Sequence, residues 1–163
     1  MLTLRAVAGL VLGGSAAALA TAFLAQYAGG LEPCPLCVYQ RYPYGATIAL
    51  GALALATAGR GRWPLLFVAL AGGVFTGGAG LAFYHTGVEQ GWFEGLAACA
   101  GTATPATVEE LRAQLLGAPP PRCDEVPWSL FGVSIAGYNL LYSAALAALS
   151  LGGAAALARK ARA

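Results

Sequence analysis

The chain has 163 residues, 58% of them hydrophobic and only 10% charged, with a net charge of +2. An ordinary soluble domain carries roughly 25% charged residues, so the composition excludes that class and reads as an integral membrane protein. The small net charge gives no reason to invoke nucleic acid, and there is no glycine-rich phosphate loop or His/Cys spacing of a metal site.

A helix needs roughly 17–25 residues to cross the hydrocarbon core. Four stretches free of charge are long enough: Ala6 to Leu31, Tyr42 to Gly59, Trp63 to Val88 and Ser129 to Ala158. Trimmed at their interfacial ends, they predict an all-α membrane protein forming one domain over 1–163. Its four-transmembrane-helix bundle has helices over about 6–28, 42–59, 63–85 and 130–158, and a long loop over about 86–128. The first segment follows Arg5 and has the flanks of a signal peptide. Its apolar run exceeds the roughly 7–15 residues of such peptides, so a retained anchor is expected.

Between the first and second segments lies Cys34-Pro35-Leu36-Cys37, which runs directly into Val38-Tyr39-Gln40-Arg41. A Cys-x-x-C turn permits a small-loop disulfide and a lowered thiol pKa beside a cation. Arg41 lies four residues beyond Cys37, one helical turn along the same face if the second helix begins near the motif. There it would stabilise a thiolate or a negative charge on a bound acceptor. In the third segment, Gly73 and Gly77, and likewise Thr76 and Gly80, are spaced for close helix packing. His85, in Phe83-Tyr84-His85-Thr86, sits at the outer end of that segment, suited to donate a hydrogen bond or proton to a reducible carbonyl.

The connection from about Thr86 to Trp128 is far longer than the roughly 2–8 residues usual between helices, which marks it as a partner-binding or shuttling segment. Thr107 and Glu110 fit a capping box, and Gly117 with Pro119 supplies a stop, predicting a short helix from about Val108 to Leu116. Val108, Leu111, Leu115 and Leu116 share one face of it, suited to the membrane surface. Pro119-Pro120-Pro121 form a stiff lead into Arg122-Cys123. Cys99 and Cys123 bracket this stretch. They are too widely separated, and too far in sequence from His85, to suggest structural zinc, so no metal is expected. Two readings remain open from the residues alone: a thiol–disulfide exchanger, and a membrane subunit whose cysteines form inert disulfides.

The basic residues set the orientation. Arg5, Arg60, Arg62, Arg159, Lys160 and Arg162 fall on one side, and Arg41, Arg112 and Arg122 on the other. By the positive-inside rule both termini and the Arg60 turn are cytoplasmic, and all four cysteines face outward. An oxidising compartment such as the bacterial periplasm agrees with paired cysteines.

CPLCVYQR after a first helix, YHT at the end of a third, a lone cysteine on each side of a loop helix, and Trp128 before a fourth together resemble the disulfide bond formation protein B (DsbB) family over nearly the whole chain. The resemblance implies a bundle in the bacterial inner membrane that reoxidises a DsbA-like periplasmic thiol oxidase. It implies that two electrons pass to a membrane quinone, ubiquinone or menaquinone. It further implies redox disulfides Cys34–Cys37 and Cys99–Cys123, with Cys99 attacked by the reduced partner and Cys123 exchanging with Cys34. Cys37 would be the thiolate beside the quinone, Arg41 would polarise the quinone oxygen, and His85 would assist. Gln40 departs from the pattern, since some members carry an acid there, which leaves Arg41 less neutralised.

Overall fold

The computed structural model describes residues 3–96, 99, 107–109, 112 and 121–162. Helix α1 spans Leu4–Tyr27, rich in Ala and Leu and without proline, and opens on the Thr3 hydroxyl, which accepts the Ala6 N–H at 3.2 Å. After it the chain turns at Gly30, whose φ of 68° suits glycine, and runs extended to Cys34. Helix α2, Pro35–Tyr39, is a single turn with Pro35 at its start; α3 follows as Arg41–Ala56 and α4 as Trp63–Glu89. A two-stranded hairpin, β1 Ser129–Leu130 and β2 Val133–Ser134, is closed by Phe131 and Gly132, both at positive φ as a two-residue hairpin turn demands. It leads into α5, Ile135–Lys160, whose first turn is capped by Ser134 through Gly137 N–H at 3.0 Å.

Three of the expected spans, α1, α4 and α5, are long and apolar enough to cross a membrane. Helix α3 is shorter than the expected 42–59. Its 16 residues rise about 24 Å, against a hydrocarbon core of about 30 Å. Pro43 lacks the N–H that would bond to the Tyr39 carbonyl, so the helical path breaks at Gln40 and the motif turn becomes a separate helix. Two other boundaries move for local reasons. Helix α4 continues past the expected 85 to Glu89, whose carboxylate accepts from Ser134. Helix α5 starts at Ile135 rather than near 130 because the hairpin occupies 129–134. Of the expected loop helix Val108 to Leu116, only Val108, Glu109 and Arg112 are described, all helical. Glu110, Leu111, Leu115 and Leu116, like Gly117, Pro119 and Pro120, lie outside the described residues.

Helix α4 packs along α5, and α3 bridges α1 and α4. Apolar layers fill the bundle: Val7, Ala8, Ala54, Val68 and Ala154 at one end, and Val11, Tyr44, Ala71, Phe75, Leu146 and Ala147 in the middle. Ser15 and Thr47 join α1 to α3 through a 2.7 Å hydroxyl contact, a polar tie of the kind that holds membrane helices together. Outward, Leu10, Leu53, Leu70, Phe83 and Leu141 are exposed, so these helices are apolar on the surface as well as within.

The glycines that allow close approach are not those expected. Gly73, Gly77 and Gly80 have open space where a Cβ would stand, and with Thr76 they face outward. Gly72 and Gly51 make the contacts instead. A Cβ at Gly72 would lie 2.6 Å from the Leu151 side chain, and one at Gly51 would press on the Leu12 backbone and Cβ. The four-residue spacing was real, but the helix is rotated so that its small stripe faces away from the bundle.

Candidate functional site

The end of the bundle holding the α1–α3 connection carries a third buried cluster of Cys34, Leu36, Val88, Cys99 and Cys123, with Cys37, Leu81 and Tyr84 packed against it. All four cysteines therefore meet at one end of the fold. Cys99 and Cys123 form a disulfide, Cα atoms 5.1 Å apart, with exposures of 3% and 0%. Cys34 and Cys37 are free thiols whose sulfurs lie 2.8 Å apart.

Local structure makes the two thiols unequal. Cys34 is the N-cap of α2, so its sulfur receives the Cys37 N–H at 3.3 Å, and His85 Nε2 stands 3.6 Å away. The hydrogen bond from the Cys37 thiol, aided by His85 and the Cys37 amide and opposed by burial, pulls Cys34 down to about 4. Donating that hydrogen bond and being buried push Cys37 up, with the charges at Cys34 and Glu89 adding to the effect. Of the reduced pair, Cys34 carries the thiolate and Cys37 the proton. The family resemblance instead implies a Cys37 thiolate beside the quinone.

His85, only 2% exposed, is held from both ring nitrogens. The Gln40 side-chain amide donates to Nδ1 at 2.7 Å, which leaves the proton on Nε2, facing Cys34. The network continues inward: Asn139 Nδ2 donates to Gln40 Oε1, Tyr44 donates to Asn139 Oδ1 at 2.5 Å, and Ser143 lies 2.8 Å from the Tyr44 hydroxyl. Gln40 is thus the link between imidazole and bundle core rather than a vacant acid position.

Beside the thiols, a cavity of about 440 Å³ opens between α1 and α5, within the ~300–1,000 Å³ of small-molecule sites. Ala18, Ala22 and Ala25 on α1 and Ile135, Ala136 and Tyr142 on α5 give it apolar walls. Cys37, Gln40, Arg41, His85 and Asn139, together with Glu32 and the hydroxyls of Thr21, Tyr44 and Tyr138, supply its polar groups. Arg41 Nη1 donates to Gln26 Oε1 at 2.6 Å, and its guanidinium lies 5.0 Å from the centre of the Phe23 ring. Among the described residues it pairs with no carboxylate, so it stands as a fixed cation at the cavity wall.

The structure thus brings Cys34, Cys37, Arg41 and His85 together, with Cys99 and Cys123 in the adjoining cluster. Sequence reasoning missed Gln26, Asn139, Tyr44 and Glu89. Gln26 and Asn139 could have been found as isolated amides in apolar segments, where a polar side chain seeks a partner. Glu89 closes the cysteine-bearing end of the bundle. One carboxylate oxygen accepts from Ser134, while Oε1 is buried with no hydrogen-bond partner among the described residues.

A helical membrane protein that gathers a Cys-x-x-C pair and a second disulfide in one buried cluster is, by class, an integral-membrane oxidoreductase of disulfide bond formation. The family model described as "Disulfide bond formation protein DsbB" matches residues 4–152. The Disulfide bond formation protein B of Marinobacter nauticus is 32% identical over 160 residues, covering 92% of this chain and 91% of that protein. The Disulfide bond formation protein B 2 of Pseudomonas syringae is 33% identical over 157 residues, covering 83% and 79%. The Disulfide bond formation protein B of Aromatoleum aromaticum is 34% identical over 130 residues, covering 71% of each. No solved structure matches the chain significantly. The chain belongs to the disulfide bond formation protein B family.

Proposed function

We propose that this protein is a thiol:quinone oxidoreductase of the bacterial inner membrane that reoxidises a DsbA-like periplasmic thiol oxidase. In this reading α3 is the fourth membrane-crossing helix, with the α2 turn outside the span. Both termini are cytoplasmic, as the basic-residue asymmetry argues. The observation that carries the reading is the apolar cavity between α1 and α5, which ends on Cys37, Arg41 and His85. Its volume, its apolar walls and its few convergent donors fit a quinone head group.

The exchange runs in balanced steps. The partner's thiolate attacks Cys99 and displaces Cys123; Cys123 attacks Cys34 of an oxidised Cys34–Cys37 pair and displaces Cys37; the second partner thiol releases its own disulfide from Cys99, and Cys99 then attacks Cys123, restoring their bond and freeing Cys34. Two electrons and one proton then reside on the reduced Cys34–Cys37 pair. Cys37 is the thiol that lines the cavity, so oxidation of the pair to the Cys34–Cys37 disulfide would give up two electrons and the Cys37 proton on the cavity side. Arg41, fixed by Gln26 and Phe23, opposes negative charge there without moving. Gln40 keeps the His85 proton on the sulfur side. A quinone, when bound, supplies an acceptor for two electrons and two protons.

The test is reconstitution. Purified protein in lipid vesicles, supplied with reduced DsbA-like oxidase and ubiquinone or menaquinone, should oxidise the partner and reduce the quinone in a 1:1 ratio of disulfide to quinol. Partner oxidation that continues at full rate without quinone would overturn the acceptor assignment.

A further inference from the structure

Three soft ligand atoms that lie far apart in the sequence converge in the fold. Cys34 Sγ, Cys37 Sγ and His85 Nε2 all lie within 4.8 Å of one another. From the reduced pair and this histidine we infer a binding site for a soft d10 metal ion, with zinc(II) as its reference occupant, that holds the pair in its dithiol state. The inference stands on the three ligand atoms and does not depend on quinone as the acceptor.

The geometry favours a tetrahedral ion. With zinc–sulfur and zinc–nitrogen bonds of about 2.3 and 2.0–2.1 Å, a tetrahedron has an S···N edge of about 3.5 Å and an S···S edge of about 3.8 Å. The Cys34 Sγ to His85 Nε2 separation is 3.6 Å, already that edge. The two sulfurs, now 2.8 Å apart, must open by about 1 Å. Cys37 sits on a one-turn helix, so a small rotation about its side chain supplies that movement. The Cys37 N–H remains on Cys34 Sγ and supports it as a metal thiolate. Three protein ligands leave the fourth position open, and the cavity lined by Cys37 and His85 gives a path to it.

Binding needs the other histidine tautomer. Nε2 must present its lone pair, so its proton moves to Nδ1 and Gln40 must offer Oε1 in place of its amide N–H. The polar chain permits that reversal at every link. Gln40 and Asn139 each carry a donor and an acceptor, and the Tyr44 and Ser143 hydroxyls bond in either sense. Near neutral pH Cys34 already carries the thiolate, so each ion displaces one proton, from Cys37, and no electron moves. While the ion is bound, neither sulfur can form a disulfide, so metal binding and turnover exclude each other. The oxidised pair offers no thiolate and should not bind.

The test uses the full chain with Cys99→Ser and Cys123→Ser, so that Cys34 and Cys37 are its only thiols. Zinc(II) is titrated by calorimetry and cadmium(II) by thiolate-to-metal charge-transfer absorbance, with no quinone present. The expected result near neutral pH is one ion per chain with one proton released, and no binding once the pair is oxidised to a disulfide. His85→Gln should weaken binding by more than the roughly 10–100-fold that loss of a supporting hydrogen bond costs, and Gln40→Leu by an amount within that range. Cobalt(II) should give a tetrahedral thiolate spectrum in the unmutated pocket, which keeps the ligand geometry testable should either pocket variant fail to fold. No charge-transfer band from the reduced pair, half an ion per chain, or equal affinity in folded His85→Gln would each overturn the site.

Discussion

The metal-free, reduced Cys34–Cys37 pair should hold one proton rather than two from about pH 5 to 8, and this sets how its reduction potential moves with pH. Cys34 lies at about 4, because the Cys37 thiol, His85 and the Cys37 amide all donate to it, while Cys37 is pushed up by donating and by burial. Reducing the disulfide then takes up two electrons and one proton, so the potential should fall by about 30 mV per pH unit, against about 59 mV for two ordinary thiols. His85→Ala removes one hydrogen bond to a charged sulfur, worth roughly 1.5–3 kcal/mol, which raises the thiolate midpoint by about 1–2 pH units. The same shift acts on stability. A depressed folded-state pKa stabilises the reduced protein fully above the unfolded thiol value of about 8.5 and loses that contribution as the pH falls through the folded value. The raised Cys37 acts oppositely, and only above the unfolded value, where the folded chain keeps a proton that the unfolded chain releases. Equilibration with thiol redox buffers in the Cys99→Ser/Cys123→Ser background, quenched by acid and read by alkylation, gives the slope. A wild-type slope near 59 mV per unit, or an unchanged thiolate midpoint in His85→Ala, would refute the assignment of the thiolate to Cys34.

Arg41→Ala should lower quinone kcat/KM by the equivalent of roughly 1.5–3 kcal/mol while leaving partner binding intact, since Arg41 lies on the cavity and the second disulfide lies elsewhere in the cluster; steady-state kinetics with each substrate varied in turn separates the two. Cys123→Ser should accumulate a reductant-sensitive adduct between Cys99 and the thioredoxin-like partner, and Cys99→Ser should not. Recovery of the adduct only through Cys123 on non-reducing gels would reverse those two roles. Gly72→Val, which drives a branched side chain into Leu151, should destabilise the bundle by roughly 1–3 kcal/mol; Gly73→Val, facing outward, should stay within about 0.5 kcal/mol by denaturant titration in detergent.

The long charge-free runs announced helices because membrane helices are selected by length and apolarity, and three of them stand within a few residues of their expected bounds. What composition could not give was rotation about each axis. Gly73 and Gly77 have the same spacing as a packing stripe, yet the stripe that touches α5 runs through Gly72, since apolar residues surround α4 on every side and leave no amphipathic face to orient it. The break at Gln40 was in principle readable from Pro43, three residues on, whose missing N–H frees a carbonyl in the preceding turn. The cysteine motif and Arg41 were conspicuous from local spacing alone. The partners that tune them were not, because Gln40 to His85, and Gln40 to Asn139, are contacts between helices that only the assembled bundle creates.

The buried polar chain explains how one site can be both reactive and stable. An uncompensated charge in an apolar bundle is costly, yet the Cys34 thiolate has three donors, and the imidazole that supplies one of them is anchored by Gln40 and, through Asn139 and Tyr44, to α5 and α3. Each link is therefore satisfied without exposing the sulfur. The Cys99–Cys123 disulfide, also shielded, is packed in the same cluster as Cys34, so stray thiols in solution have little access to either sulfur. In the proposed exchange, a partner must displace part of that apolar cover before its thiolate can reach Cys99. The docking energy of the right partner can drive that displacement, whereas a small thiol brings none. Selectivity in this arrangement arises from burial around the disulfide, and the intrinsic reactivity of Cys34 can stay high without diverting electrons to the wrong donor.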